Sequence, residues 1–269
     1  MQVIGLCRFS YPAIGGFQIG HETTQDRIDY LYAPARMEER FRVFETITLP
    51  GLKAQTDPDF TLVILIGESL PPAYRDRLMA LLEDMPQAQI VVRPPLPHRD
   101  VCKAVINEVR GGFTAPCLQF RHDDDDAVAI TFVERLREAA ADSASLLAKH
   151  RLVGFDFNRG HVARASEHGI EAVENMTPYW GVALGMAVQA DARLTIMNFG
   201  HNKLSRFMPT VTYTDCPMFV RGHNDYNDSR QGPRITQQKL TLLDANGEKL
   251  FRDTYNIDAD KVRRVFSSN

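Results

Sequence analysis

Cys117-Leu118-Gln119-Phe120-Arg121-His122-Asp123-Asp124-Asp125-Asp126 places four consecutive carboxylates directly behind a short apolar run. Strand followed by carboxylates is the order in which an open α/β sheet presents ligand-binding groups, because ligands sit just beyond the carboxyl ends of the strands. Four adjacent ionised side chains repel one another, since a like charge a few Å away raises a carboxylate's pKa and costs free energy. The run therefore calls for a cation. An all-oxygen donor set of this density suits Mg2+ or Mn2+, ions that characteristically hold substrate phosphates as well. A solvated acidic loop is the competing reading, as for most charge runs.

Upstream, Val3 to Cys7 reads as a short buried strand, and a loop with Pro12, Gly15 and Gly16 follows it. From Pro34 to about Leu49 the apolar positions Met37, Phe41, Phe44 and Ile47 recur at helical spacing, with Pro50-Gly51 as the stop signal. Thr61-Leu62-Val63-Ile64-Leu65-Ile66 is a continuous aliphatic run ending at Gly67, the pattern of a parallel strand buried on both faces. Pro71-Pro72 opens a helix with Tyr74, Leu78, Leu81, Leu82 and Met85 on one stripe. Ile90 to Val92 is the next strand, and His98 to Arg110 a helix with Val101, Val105 and Val109 inward and Gly111-Gly112 at its end. Downstream of the acidic run, Ile130 to Lys149 reads as one long helix.

Four alternations of strand and helix predict a mostly parallel central sheet with right-handed crossovers and helices on both faces. The second half differs: Leu152 to Phe157, Gly181 to Val188 and Val211 to Tyr213 are strand-like, with long polar connections and few helical stripes. It reads as an antiparallel C-terminal extension laid over the ligand face of a single domain, residues 1–269.

The chain has 269 residues, 44% of them apolar and 24% charged, with a formal net charge of -3. That balance gives no basic field of the kind that holds nucleic-acid phosphates. Cys7, Cys102, Cys117 and Cys216 are widely spaced, which suggests buried thiols rather than a metal knuckle or a disulfide framework. They favour a reducing, cytoplasmic setting. No apolar stretch approaches the length of a membrane span, so membrane association, if any, is expected to be peripheral.

The acidic run resembles the DxD motif of GT-A nucleotide-sugar glycosyltransferases. The resemblance sharpens over Arg8-Phe9-Ser10, Gln55-Thr56-Asp57-Pro58-Asp59-Phe60, Arg121 to Ala127 and Pro217 to Asp225, which look like a bacterial rhamnosyltransferase family over most of the chain. It implies a GT-A, Rossmann-like fold in which residues 1–127 bind the nucleotide-sugar and residues 128–269 form the acceptor side. It also implies Mn2+ or Mg2+ held by Asp123 and Asp125, with Asp126 as an extra group and His223 joining from the C-terminal half. Asp124 and Asp126 are the rival pair, and His201 is a weaker alternative to His223. His122 is expected to be structural, because strand alternation turns it from its acidic neighbours.

A diphosphate leaving group needs cationic help, since charge accumulates on its oxygens as the glycosidic bond breaks. Arg230 and Lys103 are the candidates for that task, with Arg8 and Glu68 at strand ends and Asp123 beside them as further nucleotide-sugar contacts. A general base for the acceptor hydroxyl is expected at Asp215, with Asp225 next. The partners implied are a nucleoside diphosphate sugar and a glycan, lipid-linked or small hydroxyl acceptor. A nucleotidyltransferase acting on sugar phosphates and a non-catalytic carbohydrate-binding protein are the alternatives. An isoprenoid enzyme with DDxxD is disfavoured, because that motif belongs to an all-helical barrel.

Overall fold

The aliphatic runs of the first half form the strands that their composition calls for. The computed structural model describes residues 1–16, 20–224 and 239–267. In it β1 (Gln2–Arg8), β2 (Thr61–Gly67), β3 (Ala88–Arg93) and β4 (Cys117–Asp123) lie parallel, with β1 between β2 and β4. Register places Arg8 opposite both Leu65 and Asp123, so these strands end along one edge. β4 turns through the remaining carboxylates into the two-residue β5 (Ala127–Val128). Six further strands complete the described second half up to Gly222: β6 (Leu152–Phe157), β7 (Arg159–Ser166), β8 (Gly169–Met176), β9 (Leu184–Val188), β10 (Thr210–Tyr213) and β11 (Phe219–Gly222). A short β12 (Thr241–Leu242) lies nearer the C-terminus.

The main sheet runs β10-β6-β9-β4-β1-β2-β3. β9 is antiparallel to both β4 and β6, and β10 is parallel to β6, so the sheet is mixed but mostly parallel. A second sheet runs β12-β8-β7-β11-β5. The acidic turn is therefore a corner, with β4 in one sheet and β5 in the other.

Helices cover both faces. α1 (Thr24–Leu31) precedes α2 (Pro34–Val43), which passes through a wide π-helical turn, Phe44–Thr48, into α3 (Leu49–Lys53). α4 (Pro72–Leu82), α5 (His98–Arg110), α6 (Phe132–Asp142) and α7 (Ala144–Leu147) follow in chain order. Alternation along β1 sends Val3 and Cys7 to one face and Ile4 and Leu6 to the other. On the first face they join Phe41, Phe44, Leu78 and Phe132; on the second they join Val101, Val105 and Ile106 of α5.

Several expectations need correcting. Pro50 does not end the helix begun at Pro34; the helix runs on through the wide turn into α3, with Pro50 as the second residue of α3. The single helix expected over 130–149 is two pieces, broken at Ser143, whose backbone leaves helical values. β7 and β8 form a hairpin where polar connection was expected. α1 was not anticipated, nor were α8 (Ala245–Tyr255), capped by Asp244 accepting from the Gly247 N–H at 2.8 Å, and α9 (Ala259–Ser267). No helix among the described residues is long and apolar enough to cross a membrane.

Gly5, on the central strand, is crossed by the Phe120 ring, which is itself held edge-on to Phe132 with centroids 5.2 Å apart. A Cβ at Gly5 would stand 2.2 Å from Phe120 Cζ. Gly5→Ala is expected to lower stability by about 1–3 kcal/mol through overpacking, read as a shift in urea midpoint. Gly112→Ala, with only one atom at 3.7 Å, serves as the control; equal effects of the two changes would refute this packing account.

Candidate active site

The acidic corner is not left to repel itself. Asp123 is ion-paired with Arg8, its register partner on β1, and lies 3.9 Å from Arg121. Arg40 of α2 bridges Asp124 at 3.0 Å and Asp125 at 2.9 Å. Asp124 also accepts from the Ser10 N–H at 2.9 Å, and its carbonyl from the Thr48 hydroxyl at 3.1 Å. Asp125 accepts from Asn224 at 3.2 Å. Asp126 turns inward, accepting from the Gly222 N–H at 3.0 Å with Arg221 at 3.7 Å. Guanidinium groups and amides thus supply the counter-charge that the sequence assigned to a metal ion.

Burial alone would push the Asp123 carboxyl up, but Arg8, Arg121 and Arg221 outweigh it and hold this group well below the usual carboxylate range. Asp124 and Asp126 go the other way: burial raises both, against the pull of Arg40 on the first and Arg221 on the second. Burial together with Arg8 and Arg121 pushes His98 down to about 3. Its imidazole is neutral, and since a guanidinium can only donate, His98 Nε2 accepts from Arg8 at 2.9 Å.

A cavity of 330 Å³ opens over this corner. Among the described residues, six arginines line it (Arg8, Arg36, Arg40, Arg99, Arg121 and Arg221) against the three carboxylates Asp123, Asp124 and Asp125. The second half contributes the opposite wall, with Trp180, Met197, Phe199 and His201. Arg221 lies over the Trp180 ring, 5.2 Å from its centroid.

No three His, Cys, Asp or Glu side chains among the described residues converge into a ready cation site. Two of the expected ligands, Asp123 and Asp125, nevertheless face the cavity. Mg2+ is commonly held by one or two carboxylates together with substrate phosphates and waters. The donor set therefore fits a cation that arrives with a diphosphate.

The sequence profile of the family described as "Putative rhamnosyl transferase" matches residues 2–235. The chain belongs to this family. The mostly parallel α/β sheet with helices on both faces that the sequence implied is the one present. Comparison with curated proteins gives no match. Among solved structures, Staphylococcus aureus TarS 1–349 has 9% identity and a TM-score of 0.40, over 82% of this chain and 60% of that one. Its UDP complex has 10% identity and a TM-score of 0.44, over 83% of this chain and 61% of that one. Its UDP-GlcNAc complex has 10% identity and a TM-score of 0.42, over 99% and 71%. The chain thus spans about three-fifths of the first TarS chains that it resembles.

The structure brings Arg8, Asp123 and Asp125 together in this family member, and sets Asp126 just behind them. Glu68 is exposed past the end of β2, on the same sheet edge but outside the cavity lining. Lys103 pairs with Asp100 at 2.7 Å and does not line the cavity. His223 is also outside the lining; its side chain is exposed and its N–H donates to the Ala163 carbonyl. Asp215 does not line the cavity either, and is paired with Arg135 at 2.6 Å. Asp225 and Arg230 lie outside the described residues. His122 is buried, and burial lowers it to about 4.

The arginines other than Arg8, with His98 and Trp180, were missed. One signal was present: Arg36 and Arg40 sit four residues apart, each beside a member of the apolar pair Met37 and Phe41, and all four side chains are buried. Removing one partner of a buried ion pair costs about 3–5 kcal/mol, and Arg40→Met is expected to destabilise by that order. Asp124 then loses the cation opposing its upward shift, and a raised carboxylate loses stability as pH rises through its folded value. The deficit should accordingly be larger at pH 8 than at pH 5 in denaturant melts. A pH-independent deficit would contradict the assignment.

Proposed function

We propose that the chain is a metal-dependent glycosyltransferase, moving a sugar, rhamnose by its family's description, from a nucleoside diphosphate to a hydroxyl acceptor. The observation that carries this reading is the arginine-rich cavity built on Asp123 and Asp125 at the carboxyl edge of the parallel strands. That edge is where open α/β sheets bind ligands. Guanidinium groups offer paired donors to phosphate oxygens, and an excess of them favours a dianionic or trianionic group.

Asp123 and Asp125 would hold the cation, which when bound neutralises charge on the diphosphate. Everything else falls to the chain's own groups. Arg8 and Arg121 stand at the ends of β1 and β4, where they anchor diphosphate oxygens and stabilise the charge that grows as the bond to the sugar breaks. His98 fixes the Arg8 guanidinium by accepting from it. Trp180 and Phe199, which line the cavity, supply apolar surface that helps to exclude water.

Titration calorimetry with UDP and dTDP tests the reading. Binding is expected in Mn2+, with a loss of tenfold or more in excess EDTA and in Asp125→Asn, while Arg8→Gln weakens the diphosphate in either condition. Equal affinity with and without the ion would remove the metal from the scheme. Failure of any nucleoside diphosphate to bind, with no nucleotide released from a nucleotide-sugar, would remove the glycosyltransferase reading itself.

A further inference from the structure

The geometry points to His201 as the general base that takes the proton from the acceptor hydroxyl. This rests on the transfer reading above and names the residue that the reading still lacks. His201 opens a 3-10 turn, His201–Arg206, and its ring lines the same cavity as Asp123 and Arg221.

Its tautomer follows from its contact. His201 Nδ1 lies 2.5 Å from the Tyr179 carbonyl oxygen, and a carbonyl only accepts, so Nδ1 carries the hydrogen. In the neutral ring the lone pair is then on Nε2. The ring is also held in place from behind. It packs over Gly181, whose φ of +95° suits glycine, and a Cβ there would come within 3.2 Å of the imidazole Cγ. The Tyr179 backbone is itself anchored, because its N–H donates to the buried Asp156 carboxylate at 3.0 Å. Tyr179 is thus held from both sides of its Cα, its N–H by Asp156 and its carbonyl by the imidazole.

The charge environment keeps the ring neutral. Burial lowers its pKa, Arg121 and Arg221 lower it further, and the Tyr179 carbonyl and Asp123 oppose them. Other titratable groups of the described lining are less suited. Asp123 is paired with Arg8 and held strongly ionised, Arg40 engages Asp124 and Asp125, and His98 is committed to Arg8. A base works best when its pKa lies near the working pH, which favours an imidazole over a carboxylate held far down.

In the step assigned to it, the acceptor O–H bond breaks and its proton passes to Nε2. The acceptor oxygen's electron pair forms the new bond to the anomeric carbon. The bond from that carbon to the diphosphate oxygen breaks, and its electron pair leaves on the diphosphate. The imidazolium then returns its proton to solvent.

The test compares wild type with His201→Gln and His201→Ala. Nucleotide release from dTDP-rhamnose and UDP-glucose is followed with octyl β-glucoside as the acceptor probe, beside calorimetry with UDP and dTDP. The expected loss in kcat is roughly 10²–10⁴-fold, with nucleoside diphosphate affinity within about twofold of wild type. Wild-type kcat/KM should rise with pH through a value below 6.5, the ordinary histidine value that burial lowers, and then level off. His201→Gln should lack that acid limb, and added imidazole should restore part of the activity of His201→Ala. Full turnover in His201→Gln, or a parallel loss of turnover and nucleotide affinity, overturns the assignment alone. A wild type that neither binds UDP or dTDP nor releases nucleotide overturns the transfer reading with it.

Discussion

Charge compensation at one corner governs this structure. The main chain leaves the central sheet at Asp123 and enters the second sheet at Ala127, and every residue between is an aspartate. A turn so charged folds only if cations reach it from elsewhere. They come from Arg8 on β1, Arg40 on α2 and Arg221 on β11, three elements distant in sequence. Each pairing also fixes a boundary: Arg8 ties β1 to β4, Arg40 ties the first long helix to the turn, and Asp126 with Gly222 ties the turn to β11. The site and the junction of the two sheets are one construction.

This arrangement changes the part that a cation can play at the corner. Taken as a sequence, the run needs a counter-ion because nothing nearby is basic enough to neutralise four carboxylates. In the fold, guanidinium groups already do so, and an incoming cation and diphosphate would compete with them and complement them at once. Arg8 sits at that exchange, paired with Asp123 on one side and with neutral His98 on the other. The opposed shifts along the run follow from position: Asp123 faces three arginines, while Asp126 is pressed into the protein with one.

The parallel half was legible because strands buried on both faces must be aliphatic throughout, as Thr61 to Ile66 are, and because proline and glycine punctuate the helices between them. The hairpin of β7 and β8 was not, since Arg159, Arg164, Glu171 and Glu174 are spread over both of its faces and make it read as polar connection. α8 carried an aspartate cap and a Phe251–Tyr255 pair four residues apart, a signal present but too short to stand out. Within the site, the carboxylates announced themselves by repetition. The arginines other than Arg8 could not, for a single Arg carries no mark of whether it turns inward, and Trp180 comes from a loop whose approach to the corner depends on how β9 enters the sheet.

The wide turn at Phe44–Thr48 has a mechanical meaning. Upstream of it Arg36 reaches Ser10 and Arg40 reaches the aspartates; its last residue, Thr48, binds the Asp124 carbonyl, and Gln55, just past α3, binds the Ala129 carbonyl. Both ends of one helical rod therefore grip the same corner, and the extra residue in the turn sets the phase between them. Each residue advances an α-helix by about 100°. The turn acts as a vernier: one residue fewer would rotate the two arginines off the corner while leaving the downstream grip in place, so this segment tolerates substitution far better than any change in length.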